Sequence, residues 1–406
     1  MTISDFRSNI DLDPLYRLVL ILLIIFFTVL FVVSFGSLLY SYLIYPIILF
    51  IKADEIPVVL PFIPMEDLPG VSFIIICDDN DAEKLKNKIQ NTMELDYPGE
   101  RLEIIVAASG EDQGIDEVVK GFEPQGIKLV KPPHPMSAPL GRTLTANFAV
   151  RQATMDILVF SDVDGLFNPN AVQILVKSLF RPFVGVVSGR VLYNREQGNS
   201  NIILRLYRKL LHNWQSSESG FGTLTFVSNY IHAVRREDYH PIEKDIPVGL
   251  ALPFEAACGG KRSVYAPEAI SLKTEPAYET DFEALLNKSV SAAAFTRLFF
   301  KNIRRVQLND FVFSIISGRI LKWLTPYIIL TMFVSILFLS IFSTFFLILL
   351  SFCVITGLAL LLPVLLNSFG KKLHGTGPFI LLCTVFGAFL IGFYRYFIEK
   401  RPDTYA

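Results

Sequence analysis

The chain has 406 residues, 52% of them hydrophobic, and a formal net charge of −1. That near-neutral balance argues against a nucleic-acid partner, which a basic surface would mark. The composition is too apolar for an ordinary soluble protein, and the excess lies in a few long runs.

Residues 1–17 are polar and carry Arg7 and Arg17. Leu18 to Ile51 then runs 34 residues without a charge, roughly 50 Å as one helix. A bilayer crossing needs about 20 apolar residues. The run is therefore one long helix continuing past the bilayer, or two crossings broken near Gly36 or Pro46. It is too long for a cleaved signal peptide and has no small-residue cleavage site. VVLPFIPMEDLPG (58–70) is a linker by its prolines.

The next stretch has a different texture. VSFIIIC (71–77) is a continuous β-branched run, the pattern of a buried parallel strand. In the helix that follows, Leu85, Ile89 and Met93 recur at helical spacing. RLEIIVAAS (101–109), IKLVKPP (127–133) and DILVFSD (156–162) predict three more strands, with LTANFAVRQA (144–153) a helix before the last. Strands alternating with helices predict an α/β domain on a mainly parallel sheet. Ligands of such sheets bind at the carboxyl ends of strands, where Asp78, Asp79, Ser109 and Asp162 fall.

Residues 290–324 mix apolar residues with Arg297, Lys301, Arg304, Arg305, Arg319 and Lys322. This is the pattern of amphipathic helices in a membrane interface, and the basic excess predicts the cytoplasmic side. Leu324 to Leu366 is again uncharged and long enough for two crossings, turning near Ser343 and Thr344. A basic loop (368–378) precedes a last apolar run, Phe379 to Tyr394. The expected plan is transmembrane 1–52, linker 53–70, a cytoplasmic domain 71–285, interfacial helices 286–323, transmembrane helices 324–398 and a tail 399–406. The location that follows is a multi-pass integral membrane protein in contact with membrane lipid. The four cysteines, Cys77, Cys258, Cys353 and Cys383, lack metal-ligand spacing and fit a reduced compartment. No charge interrupts the centres of the membrane runs, which argues against a transporter, where such charges mark the pathway.

The chemistry-bearing stretch is VFSDVDGLFNP (159–169). Asp162 and Asp164 alternate with Val163, so in an extended chain both carboxylates point the same way. Like charges so placed repel unless a cation sits between them, and hard oxygen ligands suit Mg²⁺ or Mn²⁺. Such an ion can stabilise a diphosphate leaving group. A solvated Asp-Gly turn is the bland alternative.

The element order, with LDYPGERLEIIVAASG (95–110), FSDVDGLFNPNAVQILV (160–176), YIHAVRREDYHPI (230–242) and ALPFEAACGGKRSVYAPEA (251–269), resembles the family 2 glycosyltransferases. The likeness covers about 40–330 and leans to their membrane branch of cellulose, hyaluronan and poly-N-acetylglucosamine synthases. It implies a GT-A fold flanked by transmembrane helices. It also implies transfer of a sugar, with inversion, from a nucleotide-sugar, usually UDP-linked, to a lipid-linked or polysaccharide acceptor. On this resemblance Asp78, Asp79, Ser109, Arg142 and Asp162 bind the nucleotide-sugar, and Asp162 and Asp164 hold Mg²⁺ or Mn²⁺, Asp164 directly.

Four departures accompany the likeness. Ile76-Cys77-Asp78-Asp79-Asn80 replaces the usual loop after the first strand. The second strand ends in Ser109-Gly110 where the family has a base-binding aspartate, with Glu111 and Asp112 as substitutes. The acidic pair that supplies the general base is matched by Val248 and Gly249, leaving Asp245 as a displaced base and Glu255 as the next nearest acid. The Gln-x-x-Arg-Trp motif of processive synthases is absent near 285–300. An active transferase and a non-catalytic GT-A subunit partnering another membrane protein or synthase both remain open. His134 and His232 read as structural or surface histidines. Trp214 reads first as packing and second as a sugar-stacking face.

Overall fold

The computed structural model describes residues 14–53, 60–77, 82–110, 112–132, 140–194, 202–274, 282–368 and 377–398. The chain divides into two compact units. One holds the α/β domain, Pro46–Arg319 with Gly392 onward; the other holds apolar helices up to Tyr45 and from Ile320 to Ile391.

The α/β domain is an eight-stranded sheet in the order β3-β2-β1-β4-β7-β6-β8-β5. Its strands are β1 (Val71–Cys77), β2 (Leu102–Ala108), β3 (Lys128–Val130), β4 (Ile157–Asp162), β5 (Gly165–Phe167), β6 (Val184–Asn194), β7 (His232–Arg235) and β8 (Arg262–Thr274). β1 to β4 are mutually parallel, as the strand–helix alternation predicts. β7 runs antiparallel between β4 and β6, and β5 antiparallel to β8. Every residue of β1 is buried. Successive side chains of a strand face opposite sides, so helices must cover both faces, which is why VSFIIIC does not alternate.

The helices are α1 (Pro14–Leu39), α2 (Tyr45–Lys52), α3 (Ala82–Met93), α4 (Gln113–Phe122), α5 (Leu140–Gln152), α6 (Ala171–Leu179), α7 (Ile202–Phe221), α8 (Val248–Cys258), α9 (Phe282–Asn302), α10 (Asn309–Ile315), α11 (Thr325–Leu339), α12 (Thr344–Ser368) and α13 (Gly377–Ile398). On α3 the buried face is Leu85, Lys88, Ile89 and Thr92. Met93, expected inward from its spacing, is exposed because the helix ends there and the face has rotated past it. α9 and α10 pack on α8 through an aromatic cluster in which Phe254 meets Phe295, Phe299 and Phe311.

The first apolar run forms one helical stretch, Pro14–Lys52. Neither Gly36 nor Pro46 breaks it. A π-turn at Tyr40–Ile44, with the Tyr45 N–H bonded to the Tyr40 carbonyl, precedes Pro46. Such a turn absorbs the hydrogen bond that proline cannot make. α1 packs on α11 and α12 through stacked Phe27 and Phe338, ring centroids 4.3 Å apart, and through Phe31 against Phe346. The chain turns between α11 and α12 at 340–343, where the uncharged run was expected to fold back. Pro14–Lys52, Thr344–Leu362 and Ile380–Ile398 are each long and apolar enough to cross a bilayer; α11 is too short by itself.

Candidate functional site

The sheet register assembles the site. Ile76 pairs with Asp162 and Cys77 with Ala108, so the carboxyl ends of β1, β2 and β4 lie level. Ser109 follows β2 directly, buried, with its N–H bonded to the Cys77 carbonyl at 3.2 Å. Asp78 and Asp79, expected one step past β1, lie outside the described residues, as do Glu111 and His134. Asp112 caps α4 by accepting from the Gly114 N–H at 2.8 Å.

Asp162 closes β4 and is buried. Its Oδ1 accepts from the Val163 N–H at 2.8 Å, and its Oδ2 accepts from Arg142 Nη2 at 2.7 Å. Burial raises the Asp162 carboxyl above its ordinary value, and Asp164 adds to that rise, while Arg142 opposes it. Asp164 Oδ2 lies 3.0 Å from Lys273 Nζ. Asp164 Oδ1 is buried and has no hydrogen-bond partner among the described residues.

Lys273 arrives from a distant part of the chain because β8 pairs with β5, placing Lys273 opposite Gly165. Its ammonium donates to the Tyr230 hydroxyl at 2.5 Å and lies 3.9 Å from that ring's centroid. Burial acts to lower its pKa, but Tyr230 and Asp164 outweigh burial and hold it above the ordinary lysine value. The β5–β8 approach needs Gly165, because a Cβ there would sit 2.5 Å from Ser271 Oγ.

Beneath the turn lies Lys88, fully buried on α3. It donates to the Gly165 carbonyl, with its ammonium 3.9 Å from the Phe167 ring centroid and 5.0 Å from that of Phe73. Burial pushes its pKa well down, opposed by the charges of Asp162 and Asp164. Asn91, one turn on, pairs with both backbone groups of Phe167 at 2.8 and 3.0 Å. The segment Asp162–Phe167 is thus clamped by α3, α5 and β8 together. Lys88, Lys273 and Tyr230 were not anticipated. The one available signal was a lysine at the i+3 position of the buried Leu85–Ile89 face.

Of the two positions where the resemblance places the acidic pair, Gly249 has no room for a side chain. A Cβ on Gly249 would lie 2.5 Å from the Val227 carbonyl oxygen and 2.7 Å from Phe226 Cε2. Val227 N–H donates to the Gly249 carbonyl at 2.9 Å, which fixes that approach. Asp245 has a different setting. Its loop is strapped to α5 by Thr143 Oγ1 to the Ile246 carbonyl at 2.9 Å and by Asn147 Nδ2 to the Ile242 carbonyl at 2.8 Å. Thr143 adjoins Arg142, so Asp245 and Asp162 are tethered to neighbouring residues of one helix. Glu255 instead lies 3.7 Å from Arg305. His232 is a packing residue, stacked on Phe160 with Nδ1 donating to the Ser228 carbonyl at 2.7 Å. Trp214 Nε1 donates to the buried Glu218 at 2.9 Å.

Among the described residues no cluster of three or more His, Cys, Asp or Glu side chains forms a metal cage. Mg²⁺ and Mn²⁺ sites built on one or two carboxylates draw their other ligands from phosphate and water. The orphaned, buried Asp164 Oδ1 fits that donor set, because a buried carboxylate oxygen without a partner is costly unless a ligand completes it.

No curated protein matches the chain. Residues 72–240 match the family model described as Glycosyl transferase family 2. The mannosyltransferase PcManGT from Pyrobaculum calidifontis, solved with GDP-Man and Mn²⁺, shares the fold at TM-score 0.67 and 19% identity, over 93% of this chain and 99% of that one. GalNAc-T7 aligns at TM-score 0.41 and 11% identity, over 56% of this chain and 48% of its own. Glucosyl-3-phosphoglycerate synthase from Mycobacterium tuberculosis aligns at TM-score 0.41 and 16% identity, over 58% and 84%. Residues 72–240 are thus similar to family 2 glycosyltransferases, and the α/β unit has a GT-A-like fold.

Proposed function

We propose that the chain is a membrane glycosyltransferase that moves a sugar, with inversion, from a nucleotide-sugar, UDP-linked by preference, to a lipid-linked or polysaccharide acceptor. The observation that carries this is the Asp162–Asp164 pair, held by Arg142 and Lys273, with Asp164 Oδ1 without a hydrogen-bond partner among the described residues. The similar fold of a mannosyltransferase solved with GDP-Man and Mn²⁺ supports a nucleotide-sugar and a divalent ion, and makes GDP the donor nucleotide to compare with UDP.

Asp164 and Asp162 would hold Mg²⁺ or Mn²⁺, which when bound neutralises the diphosphate as it leaves. Arg142 suits a phosphate by its planar fork of donors and would turn from Asp162 to the donor. Ser109, with Asp78 and Asp79, would position the nucleotide base. Asp245 would take the proton of the acceptor hydroxyl as its oxygen bonds to the anomeric carbon and the carbon–oxygen bond to the diphosphate breaks. The GT-A domain would face the cytoplasm, with the apolar helices as anchor.

A second reading is a GT-A subunit without catalysis, partnering another membrane protein. The packing at Gly249 favours it, because no acid fits at that one of the two positions matched to the family's acidic pair. Calorimetric titration of UDP and of GDP, with Mn²⁺, into detergent-purified full-length chain separates the two. Binding that disappears in Asp162→Asn, Asp164→Asn supports the transferase. Well-folded protein that binds neither nucleotide overturns it.

A further inference from the structure

A hollow of the α/β domain, about 520 Å³, lies at the opposite end of the sheet from Asp162. Its wall includes Arg181, Arg262, Ser216, Ser217 and Tyr265, with Phe50 and Ala53. The register gives its position. Val184 pairs with Arg262, and β6 and β7 carry that level to the start of β4. Asp162 is at the far end of that strand, about 20 Å away at ~3.3 Å per residue.

Three observations indicate what it binds. Among the described residues no carboxylate lines the hollow, and no hydrogen bond or ion pair engages either guanidinium. Two unpaired arginines beside serine hydroxyls form a receptor for a phosphate, which guanidinium groups bind bidentately. The turn that carries Arg181 is strained: Phe183 has φ of 59°, a left-handed value rare for a bulky residue. The Arg262 N–H holds that turn by bonding to the Phe183 carbonyl at 2.6 Å. Its effect is outward display of apolar surface, with Phe183 76% exposed and Phe180 48%. Backbone strain of this kind is kept where it serves a function. Phe50 lies within the apolar stretch Pro14–Lys52 and Ala53 follows it directly, so the wall includes the end of a candidate membrane span. Basic residues flanked by exposed aromatics are the chemistry of a membrane interface.

We propose that this hollow, with the Phe180–Phe183 turn as its apolar lip, docks the phosphate headgroup of an anionic membrane lipid. The headgroup held there is out of reach of Asp162, so this lipid orients the domain and is not the acceptor. The proposal stands apart from the donor site and rests on Pro14–Lys52 crossing a bilayer.

The test is native mass spectrometry of the full-length chain in detergent, comparing retention of phosphatidylglycerol with that of phosphatidylcholine. The wild type should prefer phosphatidylglycerol. Arg181→Gln, Arg262→Gln should lose about twenty-fivefold of that preference, two charges at about fivefold each, with Mn²⁺-dependent nucleotide binding unchanged as the check of fold. Phe183→Gly keeps both charges and relieves the turn, so it should melt no lower than wild type and yet hold phosphatidylglycerol more weakly. Preference retained by the arginine variant overturns the proposal. So does inorganic phosphate binding as tightly as the lipid, which would make the hollow a site for a free anion. If the double variant does not fold, Arg181→Gln alone should lose about fivefold, and an unchanged preference there overturns it equally.

Discussion

Replacing Gly249 by alanine tests why no acid stands at the usual base position. The new Cβ would meet the Val227 carbonyl oxygen at 2.5 Å, Phe226 Cε2 at 2.7 Å and Asn229 Oδ1 at 3.0 Å. Backbone cannot swing aside as a side-chain tip can. The start of α8 must therefore back away from the segment bearing Val227, straining their 2.9 Å hydrogen bond. Overpacking of this kind costs about 1–3 kcal/mol, and the weakened bond about 1 kcal/mol more. Alanine's better helix propensity returns up to about 1 kcal/mol. The net loss is about 2 kcal/mol, a fall of about 4–8 °C in Tm. Thermal unfolding of detergent-solubilised protein measures it, with Gly259→Ala as control. At Gly259 a Cβ meets nothing closer than 3.5 Å, so its Tm should hardly move. Gly249→Asp should be worse than Gly249→Ala, since a buried carboxylate is added, and should not raise sugar transfer above the wild type. If Gly249→Ala melts at or above the wild type, the steric account is wrong and the missing acid needs another explanation.

Asp245→Asn should slow sugar transfer by about 10²–10⁴-fold, the worth of a general base, with nucleotide affinity unchanged; equal turnover removes Asp245 from the mechanism. Lys273→Met takes the competing cation from Asp164, so Mn²⁺ titrated without nucleotide should bind about tenfold tighter, and weaker or equal binding contradicts the shared site. Burial pushes His232 down to about 4 from 6.5. The unfolded chain therefore takes up a proton that the fold refuses, and stability is lost as pH falls from about 6.5 to about 4, by about 3 kcal/mol. His232→Gln should flatten this acid limb in chemical denaturation, and an identical limb in both proteins assigns it elsewhere.

Much of the fold was legible because burial on both faces leaves a plain mark. VSFIIIC and DILVFSD run without alternation, and both are central strands. Prolines and glycines marked where strands and helices stop. The π-turn before Pro46 was not legible, since it answers a local hydrogen-bond problem that composition does not encode. The antiparallel β7 and β5 were hidden for another reason. They are four and three residues long, too short for periodicity to speak.

By itself the amino-acid sequence determined the apolar runs, the parallel half of the sheet and the placing of Asp162 at a strand end, because these follow from local pattern and side-chain period. Only the tertiary structure decided what surrounds the two aspartates. Arg142 comes from a helix 20 residues back, Lys88 from one 74 residues back, and Lys273 from a strand 111 residues on. The same holds for Gly249, whose missing side chain reads as a lost acid until Val227 is seen against it. Contacts between distant segments depend on register and crossover, and no single stretch of sequence contains either.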